Sequence, residues 1–142
     1  MVKKIVFAPR LACLFVVQSL AFAAGSELTQ THILFTPTDI AAAPGQNKIY
    51  LTNKHAGCLV EAERNSETKE ISLPNPPGNM ICANGKVFVT FATPAKGTDA
   101  VAIVDPQTFS LTNTTPISMD IRGIIADGQY IYTYDYYRIV AY

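Results

Sequence analysis

From residue 37 onward the chain repeats one pattern three times, and a repeat of this length fixes an architecture before any single motif does. The first copy reads Pro37-Thr-Asp-Ile-Ala and then Gly45-Gln-Asn-Lys-Ile-Tyr-Leu-Thr52. The second is Pro77-Gly-Asn-Met-Ile-Cys-Ala-Asn-Gly-Lys-Val-Phe-Val-Thr90, and the third is Ile121-Arg-Gly-Ile-Ile-Ala-Asp-Gly-Gln-Tyr-Ile-Tyr-Thr133. Aligned on Lys48, Lys86 and Gln129, the copies are spaced by 38 and 43 residues. Each goes on through a polar loop to another β-branched run: Cys58–Ala62, Ala100–Val104 and Arg138–Tyr142. Copies one and two then turn, through Glu63–Ser66 and Asp105–Thr108, into a fourth run at Lys69–Leu73 and Phe109–Thr112. Asn84-Gly85 and Asp127-Gly128, between the first two runs of their copies, are hairpin dipeptides that accept the positive φ of primed turns. No helical period appears after residue 24.

Each copy therefore predicts a four-stranded antiparallel meander of about 40 residues, the size and form of a β-propeller blade. The fold class expected is all-β: blades at 37–75, 76–118 and an incomplete 119–142, about two and three-quarter blades of an unfinished propeller. The combination Pro-x-x-Ile, Gly-x-x-Lys-Ile-Tyr-Leu-Thr-Asn53 and a strand ending Asp105-Pro-x-Thr resembles the secreted YVTN-type repeats of bacterial propellers. The resemblance covers residues 37–142 and places the chain beside the lactonase-like and quinoprotein-like propellers, which usually carry about seven blades. It implies a blade fold; its motifs mark strands and turns, not a catalytic site.

Ahead of the repeats, Lys3, Lys4 and Arg10 precede the apolar run Leu11–Ala23, which ends in Ala21-Phe22-Ala23. This is the layout of a secretory signal peptide over residues 1–23, its apolar run short for a membrane span of ~20 residues, with cleavage expected after Ala23; the alternative is an uncleaved membrane anchor over residues 5–24, almost all apolar apart from Pro9 and Arg10. The mature chain, residues 24–142, is then expected to be secreted or periplasmic and free of the membrane. Cleavage leaves eight basic against eleven acidic side chains, a net charge of −3, which gives no footprint for nucleic acid. It also leaves Cys58 and Cys82 as the last two thiols in an oxidising compartment. Either they form a bridge, closing a loop of about 24 residues for ~3 kcal/mol, or they are two separate buried thiols.

The search for chemistry finds no catalytic constellation, and the sequence implies neither cofactor nor metal. His55-x-x-Cys58 lacks the second ligand pair of a zinc site, and Glu61/Glu63 and Glu67/Glu70 read as solvated strand and turn positions. Asn113-Thr-Thr115 fits a glycosylation acceptor, relevant only in a eukaryotic secretory route. The repeat alignment makes Asp39, Asn79 and Arg122 equivalent at the starts of the first strands. With Lys54-His55, Thr93–Asp99 and Asp135 they are expected to form a polar rim for a protein, small-molecule or carbohydrate ligand. All but one of the seven tyrosines lie between Tyr130 and Tyr142, and alternation puts Tyr130, Tyr132 and Tyr134 on one face against Ile131 and Thr133.

Leu28–Phe35 is a spare strand, and copy three lacks a fourth. The two are expected to pair between chains, giving a homo-oligomer through edge-strand addition; a truncated propeller with a bare edge is the other reading. The functional expectation is an exported binding or interaction module, with a fragment of a lactonase-like hydrolase or quinoprotein-like dehydrogenase as the alternative.

Overall fold

β-branched and aromatic runs separated by Gly, Asn, Asp and Pro become strands because the pleated backbone accommodates branched side chains and those turn residues reverse it. A computed structural model describes residues 15–18, 30–63 and 66–142 and divides the chain into two units, Met1–Thr36 and Pro37–Tyr142. The expected signal peptidase site lies outside the described residues.

In the first unit, strands β1 (Phe15–Gln18) and β2 (Gln30–Ile33) pair antiparallel, Phe15 opposite Ile33 and Gln18 opposite Gln30. The spare strand thus ends at Ile33, short of the Phe35 read from sequence, and its partner is part of the apolar N-terminal run. Among the described residues no helix is long and apolar enough to cross a membrane.

The second unit is three antiparallel meanders. Sheet one is β3 (Asp39–Ala42), β4 (Lys48–Asn53), β5 (Cys58–Glu63) and β6 (Lys69–Ser72). Sheet two is β7 (Pro77–Ala83), β8 (Lys86–Ala92), β9 (Asp99–Asp105) and β10 (Ser110–Ile117). Sheet three holds only β11 (Gly123–Ala126), β12 (Ile131–Tyr134) and β13 (Ile139–Ala141), as the repeat count required. All three lie in sequence order, so every connection is a local hairpin.

Two apolar layers join the sheets. Ala41, Tyr50, Leu59 and Ile71 of sheet one pack on Met80, Val87, Val89, Ala102 and Val104 of sheet two. The opposite face of sheet two, through Ile81, Phe88, Val101 and Ile117, packs on Ile124, Ile131 and Val140 of sheet three, with Met119 buried between. Sheet two thus presents one face to sheet one and the other to sheet three, the stacking expected of propeller blades.

The register corrects the third copy by one residue. Ile40 opposes Leu51, Met80 opposes Val89 and Ile124 opposes Thr133, so the equivalent of Asp39 and Asn79 is Gly123 and not Arg122. The cause is the turn. Asn84 and Gly85 take φ of 50° and 68° and close a two-residue loop between Ala83 and Lys86, as expected. In copy three the loop runs from Asp127 to Tyr130, and only Gly128 has positive φ. Asp127 instead uses its carboxylate, Oδ1 accepting from the amides of Gln129 and Tyr130, both at 2.9 Å.

Both thiols are free. Cys58 shares a face with Val60 and Ala62, while its neighbour Leu59 joins the layer that includes Cys82, so the body of sheet one lies between the two sulfurs. In this structure the two sulfurs thus face different layers.

Candidate functional site

The strand directions bring the expected rim residues to one end of the three sheets. Asp39 opens β3 opposite Thr52, so it lies at the same end as the β4–β5 loop carrying Lys54 and His55, and the same relation holds for Gly123, Tyr134 and the loop beginning at Asp135. His55 is exposed in its turn, where Asn53 Oδ1 accepts from the Ala56 amide at 3.1 Å. Among the described residues His55 and Cys58 gather no third ligating side chain.

The inner-strand residues are engaged with the neighbouring sheet. Asp39 Oδ2 accepts from the Met80 amide at 2.7 Å, and Asn79 Nδ2 donates to the Arg122 carbonyl at 2.8 Å. Asp99 adds a third such link, accepting from the Ile121 amide at 2.6 Å. Carboxylate and amide side chains at these positions satisfy backbone groups of the next sheet's first strand or of the segment leading into it, an obligation the repeat alignment did not reveal. Arg122 points elsewhere: its guanidinium lies 4.7 Å from the ring centre of Tyr136, a cation–π contact.

Asp135 organises the turn that presents this ring. Its Oδ1 accepts from the amides of Tyr137 and Arg138 at 2.8 and 2.7 Å, and its Oδ2 takes both Nε and Nη2 of Arg138. The Tyr137 amide first, and then the Arg138 side chain, hold the carboxyl below its ordinary range. The fixed turn leaves Tyr136 75% and Tyr137 93% exposed, their rings edge to face. Of the residues expected at the rim, the structure brings Arg122 and Asp135 together around this aromatic turn. Asp39 and Asn79 serve the joints between sheets, and His55 stands apart in its own loop.

Two features were not legible in the sequence. Glu61, read as a solvated strand position, is only 2% exposed. Its Oε2 accepts from Lys48 Nζ and from the Tyr50 hydroxyl, and its Oε1 from Lys69 Nζ, each at 3.2 Å. Burial first, then the Glu61 carboxylate, push the Tyr50 phenol far up. At the sheet end opposite the rim, a cleft of about 150 Å³ lies between sheets one and two, bounded by the Ala43–Gln46 loop, Asn84-Gly85 and Pro106, with Tyr50 and Cys82 lining it. Burial raises the Cys82 thiol to about 11, so it is a poor nucleophile at neutral pH.

No protein-family model matches the sequence, and no curated protein matches it. Among solved structures the chain is similar to hydrazine synthase of Kuenenia stuttgartiensis, a propeller-containing protein, with a TM-score of 0.59 and 16% identity. The match covers 80% of this chain and 32% of that one, so the chain spans about a third of its structural neighbour's length. At that identity the likeness concerns the fold: the three sheets are blades of an incomplete β-propeller.

Proposed function

We propose that this chain is an exported interaction module of YVTN-type propeller repeats, binding partners through its rim and through the open side of its third sheet. The observation that carries the reading is the outer edge of β13. Sheets one and two have four strands and sheet three has three among the described residues, and β13 carries Ile139 at 72% exposure, after the exposed Tyr136 and Tyr137 of the preceding turn. A row of unpaired backbone groups flanked by exposed aromatic side chains is a template for strand addition. The strand that fits is residues 28–35 of another copy. In the uncleaved chain β2 pairs with β1, which lies inside the expected signal peptide, so removal of residues 1–23 takes that partner away. Protein or carbohydrate binding at Lys54-His55, Thr93–Asp99, Arg122 and Asp135 would use the polar loops at that one end of the three sheets.

The test is sedimentation of the exported chain beside a variant lacking residues 24–35, with mass spectrometry of the mature N-terminus. A defined oligomer that the deletion abolishes, together with slowed amide exchange at residues 139–142 in the intact protein, supports the reading. A compact monomer indifferent to the deletion refutes strand addition. Recovery of intact Met1 chain in membranes refutes export by cleavage.

A further inference from the structure

We propose that Asn84-Gly85, the turn between β7 and β8, is a self-modification site. The asparagine loses its side-chain ammonia to attack by the following backbone amide and becomes aspartate or isoaspartate, and the isoaspartate loosens the wall of the cleft over Cys82. The reaction requires neither export nor a partner.

The sequence supplies the reactants. Closing a ring between an asparagine Cγ and the next residue's nitrogen is hindered by the side chain of that next residue, and glycine has none. Asn84 is the chain's one asparagine followed by glycine, whereas Asn75 precedes Pro76, whose nitrogen carries no hydrogen. The structure separates Asn84 further. Asn53 Oδ1 is held by the Ala56 amide, Asn79 Nδ2 by the Arg122 carbonyl and Asn113 Oδ1 by the Thr114 amide. Asn84 and Gly85 are both exposed, at φ of 50° and 68°, and a β-carbon on Gly85 would meet nothing within 4 Å. Ala83 and Lys86 are the last paired residues, so the Gly85 amide lies outside the ladder. Among the described residues neither that amide nor the Asn84 carboxamide has a hydrogen-bonding partner. The corresponding turn of sheet three is the contrast: the Asp127 carboxylate is taken up by the amides of Gln129 and Tyr130 and by the Tyr132 hydroxyl. Bringing Cγ onto the nitrogen needs the turn to open briefly, and a hairpin tip is where local opening costs least.

The step balances with water as its co-reactant. The Gly85 nitrogen gives up its proton and bonds to Asn84 Cγ, the Cγ–Nδ2 bond breaks, and ammonia leaves with that proton. Water then opens the cyclic imide. Opening at the side-chain carbonyl gives aspartate, which with glycine suits the same primed turn. Opening at the main-chain carbonyl gives isoaspartate, whose backbone runs through the β-carbon. That adds an atom to a loop with none to spare, since Ala83 and Lys86 pair directly on either side of it. The next pair inward is Cys82 and Val87, and both line the cleft together with Asn84. Displacing this end of the hairpin therefore uncovers the half-buried Cys82 thiol.

The test incubates the folded chain at neutral to mildly alkaline pH and follows it by peptide mapping, beside the chain unfolded in guanidinium and the variants Asn84→Gly and Asn84→Asp. A Gly-Gly loop also accepts the primed turn, so Asn84→Gly keeps the hairpin without the reactive carboxamide. In the folded chain residue 84 is expected to convert ahead of every other asparagine, giving both acids, with no conversion at that position in Asn84→Gly. The isoaspartate fraction should exchange its amides at residues 83–87 faster and react faster at Cys82 with a thiol reagent, whereas fresh Asn84→Asp should match the parent in both. Asn84 intact in the folded protein after a time in which the unfolded chain has converted would overturn the proposal. Earlier conversion at another asparagine, or isoaspartate that leaves Cys82 reactivity and amide exchange unchanged, would overturn it too.

Discussion

Replacing Glu61 by Ala removes the one acceptor shared by Lys48, Lys69 and Tyr50, and the structure allows the three losses to be ranked. Lys69 is 63% exposed and returns to water, so its pair contributes well under 1 kcal/mol. Lys48 is 19% exposed and rehydrates only in part. Tyr50 is fully buried in the layer between sheets one and two, stacked at 6.1 Å on Phe109, and among the described residues its hydroxyl bonds only to Glu61. The sum is about 3–5 kcal/mol, the usual range for breaking a buried, hydrogen-bonded ion pair. Glu61→Gln keeps the volume and an acceptor for Tyr50 and should lose about half as much, whereas Lys69→Ala should change stability by less than about 1 kcal/mol. Urea unfolding at neutral pH, with midpoints compared at constant slope, gives the ranking. In a double-mutant cycle, Tyr50→Phe and Glu61→Ala should couple by about 1 kcal/mol. A loss below about 1 kcal/mol for Glu61→Ala, or Lys69→Ala as damaging as Glu61→Ala, would show that the carboxylate is hydrated and the cluster merely superficial.

Asp127 is held at about 2 by the Tyr132 hydroxyl first and then by the Tyr130 and Gln129 amides. With its folded value lowered, its contribution is present above the ordinary carboxylate range and is lost as pH falls from about 4 toward 2; a carboxyl titration by NMR centred near the ordinary value would contradict the hydrogen bonding. Thiol counting in denaturant without reductant should find both Cys58 and Cys82 free in the exported chain, and in the folded protein Cys82 should react faster as pH rises toward 11; no free thiols would restore the bridge. Gly85→Ala, at a φ of 68°, should destabilise by about 1–2 kcal/mol without touching any contact, measured by the same urea titration.

The blade count, the strand order and the bare third sheet were all legible, because repeats spaced about 40 residues apart with hairpin dipeptides leave few alternatives to a stack of meanders. The alternation along Tyr130–Tyr134 was legible too, and the structure adds that Ile131 and Thr133 are the side that is buried. What escaped was what depends on a neighbour. A charged residue alternating along a strand reads as solvent-facing, but in stacked sheets both faces are covered, and Glu61 is buried with its counter-charges arriving from β4 and β6. Asp39 and Asn79 look like exposed strand starts because nothing in the local sequence reports that the next inner strand lies within hydrogen-bonding reach. The one-residue slip that put Arg122 in place of Gly123 came from a turn length that Asp-Gly alone does not specify.

The side-chain links from one sheet to the backbone of the next share a direction. In each, the side chain belongs to the earlier sheet and the backbone group to the later one: Asp39 to Met80, Asn79 to Arg122, Asp99 to Ile121. A chain made from its N-terminus thus completes each meander with its fastening groups still waiting in water, and every joint closes only when the next forty or so residues have been synthesised. In sheet three Gly123 occupies the position of Asp39 and Asn79 and has no side chain to extend, so the fastening those two residues make is not repeated there.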